Sequence, residues 1–542
     1  MKRLTFRYKK WLMHRRRYAS RQRKAIAIRL SHIPSIRRIV RLYAAVQTFA
    51  RQLAYRDSFY VIWAYSQYLQ TSDFKIPNDI EVAPQFLAAN PPQALLAEWT
   101  LEQITREVVQ YANQEPQEGR RLRQWGTLAQ LANTLRDLEG AIYARLVGGK
   151  KIHLEMMRIS HRQFIWQQQR LNWRWIIRYH KLFSRPAIDA ASQRATGLTI
   201  DHIQLIGMCY LGIFLTQAFA TQQIKVEIPG LTQQHIDRFL RFTSLGVAEL
   251  RNRLRAEHAL DEGFAYRYSS LREFPLIQIS AAGQAEIACP IPTLLFWRIT
   301  TGLYYALKDE NGFLTAFGQS FQDYVGEVLR HRISNNAMQV LGEAEFQVGR
   351  HRKDTVDWII QQGDEGALFV ECKTKRLTWA SKSGLADLAA LEQDIQKLAG
   401  AVVQVYRTIR DYSENRYPQL PYSAGRRIYP VIVTLEDWYF FGHELPVRLE
   451  AAVKVVMSRT GLPIEWLEEM PYSIMSVDEF ETAAGVINLT GIHPFISNKA
   501  QDPERRLWSY GAYCNDRYTD EARNLAPLFA DEYDAMFAEI AA

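Results

Sequence analysis

At 542 residues, 47% of them hydrophobic and 12% aromatic, the chain is too long for one hydrophobic core and too apolar to stay disordered, so it reads as several folded units. Its four cysteines, Cys209, Cys289, Cys372 and Cys514, stand far apart with no CxxC pair, which excludes a zinc ribbon or a disulfide framework and fits a reducing cytoplasm. The formal net charge of +10 is uneven, because Met1 to Arg56 holds 17 Lys+Arg and no acid while the remainder nets −7.

Residues 1–56 therefore read as a basic helical arm, with Arg15, Arg16 and Arg17 in its densest run. Such an arm suits a polyanion, nucleic acid first. An acidic patch on the chain's own body, a partner protein and an anionic membrane surface satisfy the same charge. No apolar segment follows the charges as a signal peptide requires, and nothing else asks for a transit peptide.

From residue 57 to 225 the chain reads as a helical domain. LYAAVQTFARQLAYRDSFYVIWAYSQYL (42–69) and QALLAEWTLEQITREVVQYA (93–112) space their apolar residues as helices do, the second opened by Pro91-Pro92. RRLRQWGTLAQLANTLRDLEGAIYARLVGG (120–149) continues the pattern and stops at Gly148-Gly149. HRQFIWQQQRLNWRWIIRYHKLF (161–183) is predicted as one helix. Arg170, Arg174, Arg178 and Lys181 form one stripe along it, and Trp166, Trp173 and Ile177 fall on another face. A basic stripe beside aromatics suits a phosphate backbone with stacking bases, and the same pattern also makes a solvated face over a Trp-rich core. IQLIGMCYLGIFLTQAFA (203–220) is short for a membrane span and carries Gln204 and Gln217. A buried helix is predicted there, and a membrane partner is not expected.

Residues 226–310 read as a mixed α/β connecting region. FTSLGVAELRNRLRAEH (242–258) is predicted as a helix opened by a Thr/Ser cap. FPLIQIS (274–280) and AEIACPI (285–291) read as strands around Ala281-Ala282-Gly283, and TLLFWRITTGLYYALKD (293–309) as a helix.

Residues 311–490 alternate helix and strand. An amphipathic helix (314–333) precedes strands EFQVG (345–349), TVDWIIQQ (355–362) and ALFVECKTKR (367–376). A long helix (383–412) leads to the apolar strand RIYPVIVTLEDWYF (427–440), and PYSIMSVDEFETAA (471–484) reads as a last strand turning into a capped helix. A long helix between two apolar strands implies a crossover and a partly parallel sheet. Residues 491–542 form a C-terminal extension of aromatic loop and closing helix.

The chemistry concentrates in TVDWIIQQGDEGALFVECKTKR (355–376). Asp357 lies in one apolar run; Glu371 and Lys373 lie in the next, across the polar turn QQGDEG. Strand alternation puts Glu371 and Lys373 on one face and Cys372 on the other. An acidic pair with a lysine on an apolar hairpin is costly to leave half-buried and unpaired, and chemistry is a reason to tolerate that cost. Two carboxylates suit Mg²⁺, and an ammonium orients a water and offsets phosphate charge. A salt-bridged hairpin edge is the plain structural alternative. No GxxxxGK[ST], HExxH or GxSxG motif is present.

In these residues the chain resembles the PD-(D/E)XK superfamily, also called restriction-endonuclease-like. Its signature is an acid on one strand, (D/E)-x-K on the next, and a helix crossing to a further strand. Asp357, Glu371 and Lys373 match, and the likeness spans 311–490, about a third of the chain. Val356 stands where many members carry proline. Gly318 and Phe321 match the G-x-x-F-E helix pattern, but Gln322 replaces its acid. Glu327 is the expected substitute, with Asp323 on the same helix face as the alternative. Gln393 and Gln396 are candidates for a glutamine that some members carry on the helix after the (D/E)-x-K strand.

The resemblance implies an α/β nuclease core, a mixed central sheet flanked by helices, preceded here by the large helical N-terminal region. It implies Mg²⁺ (or Mn²⁺) on Asp357, Glu371 and the backbone carbonyl of Cys372, with Lys373 and Glu327 as catalytic neighbours. The expected activity is metal-dependent phosphodiester hydrolysis, DNA favoured over RNA, in bacterial defence or restriction. Arg15, Arg16, Arg17, Arg170, Arg174, Arg178, Lys181 and Lys375 are the expected nucleic-acid contacts. A protein partner or a second copy of the chain is a further candidate. The alternatives are a nucleic-acid-binding or assembly protein keeping the fold as scaffold, and a membrane-associated effector.

Overall fold

The computed structural model describes residues 34–541 except 72, 116–120, 147–151, 169–170, 173, 223–229, 282–283, 379–380, 383–387 and 440–443. The expected contacts Arg15, Arg16, Arg17 and Arg170 lie outside the described residues.

The N-terminal half is helical where its periodicity predicts. Numbering helices of seven residues or more, α1 (Pro34–Arg51), α2 (Tyr55–Gln70), α3 (Glu98–Tyr111) and α4 (Trp125–Leu146) come first. The run 42–69 divides between α1 and α2 because the chain leaves the helix to bridge Asn113. Tyr55 N–H donates to the Asn113 carbonyl, and Asn113 N–H donates to the Leu53 carbonyl. Then come α5 (Ile152–Gln168), α6 (Arg174–Phe183), α7 (Pro186–Thr196) and α8 (Ile200–Thr216).

The single helix predicted over 161–183 is thus two. Asn172 supplies the reason: its side-chain oxygen accepts from Arg174 N–H at 3.2 Å and opens α6 afresh. The membrane-like run 203–220 is also divided. Its first part completes α8, capped by the Thr199 hydroxyl, and its end becomes strand β1 (Phe219–Thr221). Among the described residues no single helix is long and apolar enough to cross a membrane; α7 and α8 pass such a test only as a pair bent by 64°.

The connecting region adds α9 (Gln233–Thr243), β2 (Ser244–Gly246), α10 (Val247–Glu257), β3 (Leu276–Ala281), β4 (Gln284–Ala288) and α11 (Pro292–Arg298). Thr243 and Ser244, expected to cap α10, instead donate their hydroxyls back to the Phe239 and Leu240 carbonyls at the end of α9. The four strands make a small sheet in the order β1-β4-β3-β2.

Helix α12 (Phe313–Arg332) leads into β5 (Met338–Gly342), the hairpin β6 (Glu345–Val348) and β7 (His351–Asp354), then β8 (Trp358–Gln362) and β9 (Gly366–Lys373). Helix α13 (Leu388–Ser413), β10 (Arg427–Thr434), α14 (Glu444–Thr460), β11 (Ser473–Ser476) and α15 (Val477–Thr490) follow. A Ser476–Glu479 capping box opens α15, as the sequence predicts. The chain closes with α16 (Ile492–Gln501), α17 (Tyr510–Arg517) and α18 (Ala530–Ala541).

The central sheet is five-stranded, in the order β11-β10-β9-β8-β5. β9, β10 and β11 run parallel, and β8 and β5 are antiparallel additions. The crossover predicted between β9 and β10 is α13. β5 was not predicted as a strand. The strand expected over 355–362 begins only at Trp358, because Thr355 turns aside to exchange hydrogen bonds with Ala344.

Both faces of this sheet are covered. Leu368, Val370, Val431, Val433 and Met475 face a core shared with residues from α1 onward. Ala367, Phe369, Ile428 and Ile432 face a second core built with α13 and α14. The first core runs without a break across the boundaries expected near residues 57, 226, 311 and 491.

Candidate active site

Glu371 and Lys373 are among the last three residues of the central strand β9, not on a hairpin edge. With β8 on one side and β10 on the other, Glu371 is only 3% exposed. Side-chain alternation turns Glu371 and Lys373 to the α13 face, and the Lys373 ammonium donates to Glu371 Oε1 at 2.5 Å. Cys372 points to the opposite face and packs against the larger core.

Register brings the acids together. The β8–β9 ladder ends with Trp358 opposite Val370, so one step further Asp357 stands opposite Glu371. The β5–β8 ladder ends with Gly342 opposite Trp358, so one step further Glu343 stands opposite Asp357. Directly opposed residues share a face. Glu343, Asp357 and Glu371 therefore make one row of carboxylates across three neighbouring strands.

Asp357 is held by its backbone neighbour, since Cys372 N–H donates to Asp357 Oδ2 at 2.6 Å. In an extended strand the N–H and C=O of one residue face the same side, so the Cys372 carbonyl is directed to the same edge. Burial first, and then the Glu371 carboxylate, push the Asp357 carboxyl up to about 7; the Cys372 N–H and Lys373 oppose the shift, and Glu343 adds to it. Burial also raises the Glu371 carboxyl, against the pull of Lys373, with Glu343 again raising it. Burial beside these two acids drives the Cys372 thiol well above its usual range, so it stays protonated.

Excess negative charge on oxygen ligands is what a hard divalent cation relieves, and Asp357 with Glu371 fits Mg²⁺ in donor type. Among the described residues no group of three or more His, Cys, Asp or Glu side chains is gathered tightly enough to hold an ion by side chains alone. The fit therefore rests on two carboxylates and a backbone oxygen.

Two residues at the site escaped sequence reasoning. Glu343 accepts from Gln322 Nε2 at 2.9 Å. Gln322 occupies the helix position where the resembled family carries its acid. The glutamine that reaches the lysine is Gln404, whose Oε1 accepts from Lys373 Nζ at 3.1 Å. Gln393 and Gln396 are exposed on α13 and make no contact with Lys373 among the described hydrogen bonds.

Other expected residues are engaged elsewhere. Glu327 accepts from Lys181 at 2.8 Å, and Lys181 also meets Glu532 at 2.8 Å. Asp323 pairs with Arg185. Arg178 is 4% exposed and bridges Asp478 at 2.6 Å and Glu481 at 2.8 Å. Lys375 lies 2.9 Å from the buried Asp394. Of the expected basic stripe only Arg174 is exposed among the described residues.

No family model, no curated protein and no solved structure matches this chain.

Proposed function

We propose that the protein is a metal-dependent nuclease that hydrolyses phosphodiester bonds, DNA favoured over RNA. The observation that carries this reading is the Asp357–Glu371–Lys373 constellation on the central strand. The buried Glu371 and the half-buried Asp357 stand in register, with one ammonium held between Glu371 and Gln404. A salt-bridged hairpin edge needs neither the burial nor the second acid.

Asp357, Glu371 and the Cys372 carbonyl would hold the cation, which would polarise the phosphate and supply a water of lowered pKa. Lys373 has one donor on Glu371, one on Gln404 and a third to orient the attacking oxygen or meet charge developing on phosphorus. Glu343 replaces Glu327 as the nearest third carboxylate, steered by Gln322.

The test is cleavage of supercoiled plasmid, linear duplex, single-stranded DNA and RNA with Mg²⁺ or with EDTA, wild type beside Lys373→Ala. Metal-dependent cutting that falls at least about 100-fold in the variant supports the reading. Equal activity in both, or cutting in EDTA, removes it.

A further inference from the structure

A pocket of about 40 Å³ lies where α3, α5, the 265–272 segment and Lys382 meet. Six cations face it (Arg106, Arg158, Arg162, Arg267, Arg272 and Lys382) against one carboxylate, Glu102. Acids clamp each cation from one side. Glu107 holds Arg106, Glu155 holds Arg158, Glu139 holds Arg162, and Asp261 holds Arg267. Glu102 holds Arg272, and Glu436 holds Lys382. The clamps set the side chains in place without using every donor.

Arg158 is 1% exposed, yet its Nε has no acceptor. Arg106 Nη2 and His161 Nε2 are also buried and unpaired. Buried donors without acceptors are costly, and several converging on one cavity define a ligand rich in charged oxygens. At about 10–15 Å³ per water, the space is that of a single phosphoryl group.

Arg158, Ala265 and Tyr266 line both this pocket and a second cavity of about 490 Å³. Its wall is mainly apolar, with Ile142, Tyr143, Ile159 and Phe264. That volume is typical of sites for small organic ligands. We propose that the two cavities together bind a phosphoryl-bearing small molecule of nucleotide size. Its phosphoryl oxygens meet Arg106, Arg158 and Lys382, and its body lies against Tyr143, Ile159 and Phe264.

Lys382 gives the site a route to the acids. It lies on the segment leaving β9, and its partner Glu436 also holds Arg376 of that segment, at 3.0 Å. A phosphoryl oxygen at Lys382 competes with Glu436 for the ammonium and so acts on the chain that follows Lys373. The binding itself stands apart from the nuclease reading.

Isothermal titration of the full chain with AMP, GMP, inorganic phosphate and adenosine tests the proposal. At least one nucleotide should bind tenfold or more tighter than phosphate and adenosine. Ala265→Phe, which adds bulk where the two cavities share a wall without changing a charge, should weaken that binding at least tenfold. Lys382→Gln leaves Glu436 paired with Arg376 and should weaken it as well, which keeps the test decisive if Ala265→Phe misfolds. Absence of binding by all four probes at millimolar concentration, adenosine binding as tightly as the nucleotides, or unchanged affinity in a folded variant overturns the proposal.

Discussion

Asp357 bears a charge that its surroundings resist. Its folded pKa of about 7 exceeds the unfolded value of about 3.9, so the native state keeps a proton that the unfolded chain releases as pH rises between them. The group therefore disfavours folding increasingly from about pH 4, fully above pH 7, and is neutral in effect below pH 4. Asp357→Asn should stabilise the metal-free protein at pH 8 by a few kcal/mol, at most about 4, and at pH 4.5 by only about 1 kcal/mol. Urea unfolding in EDTA at both pH values measures this; destabilisation at pH 8 would contradict the carboxylate row. The same variant should lose cleavage, so stability and activity move in opposite directions. Gln404→Ala is expected to cut the cleavage rate about tenfold with no change in Tm, because it supports Lys373 from an exposed position. An unchanged rate would leave Gln404 without a role. Asp357, Glu371 and Lys373 are legible in the sequence because they interrupt apolar strands, and period-two alternation settles which of them share a face. Glu343 is not legible: only the register of β5 on β8 sets it opposite Asp357, and that pairing is tertiary. Gln404 is hidden for a similar reason, since the docking angle of α13 decides which of its turns meets Lys373.

Helix α12 and strand β8 meet through one close approach. A Cβ on Gly326 would fall 2.0 Å from Trp358 Cζ2, and the Trp358 indole N–H donates to the Gln322 carbonyl at 2.9 Å. Gly326 thus lets α12 lie against the ring adjacent to Asp357. Gly318, two turns earlier on α12, has nothing within 4 Å of the same position. Gly318→Ala should stabilise by up to about 1 kcal/mol through helix propensity alone. Gly326→Ala should destabilise by about 1–3 kcal/mol through overpacking and lower activity by displacing Trp358. Thermal melts of the pair separate the two effects, and equal shifts would show that Trp358 does not seat on Gly326. Sequence pattern reads such elements well where the determinant is local, as in the Ser476–Glu479 box that opens α15. It misses the break between α5 and α6, where unbroken apolar spacing conceals that Asn172 caps a new helix.

One face of the five-stranded sheet packs on α12, α15 and α16, and through them joins the core of the helical region that precedes it in sequence, so the site is positioned by residues far from it. Arg178 shows how the two are joined. The sequence places it on a basic stripe suited to phosphates, but it is buried against Asp478 and Glu481 of α15, and Tyr324 of α12 donates to the same Glu481 at 2.7 Å. One guanidinium thus ties α6 to α12 and α15, which pack on the central sheet. Arg178→Met leaves those acids without their cation and should cost about 3–5 kcal/mol. It should leave the salt dependence of DNA binding unchanged, because a buried cation releases no counterion from a phosphate. Arg174→Ala, on the exposed side of the same helix, is the contrast. If Arg174 meets a phosphate, its loss lowers the slope of log affinity against log salt by about 0.9. Melting curves and salt titrations on both variants decide the matter. A shallower slope in Arg178→Met with an unmoved Tm would mean that its guanidinium meets phosphate rather than holding the helices together.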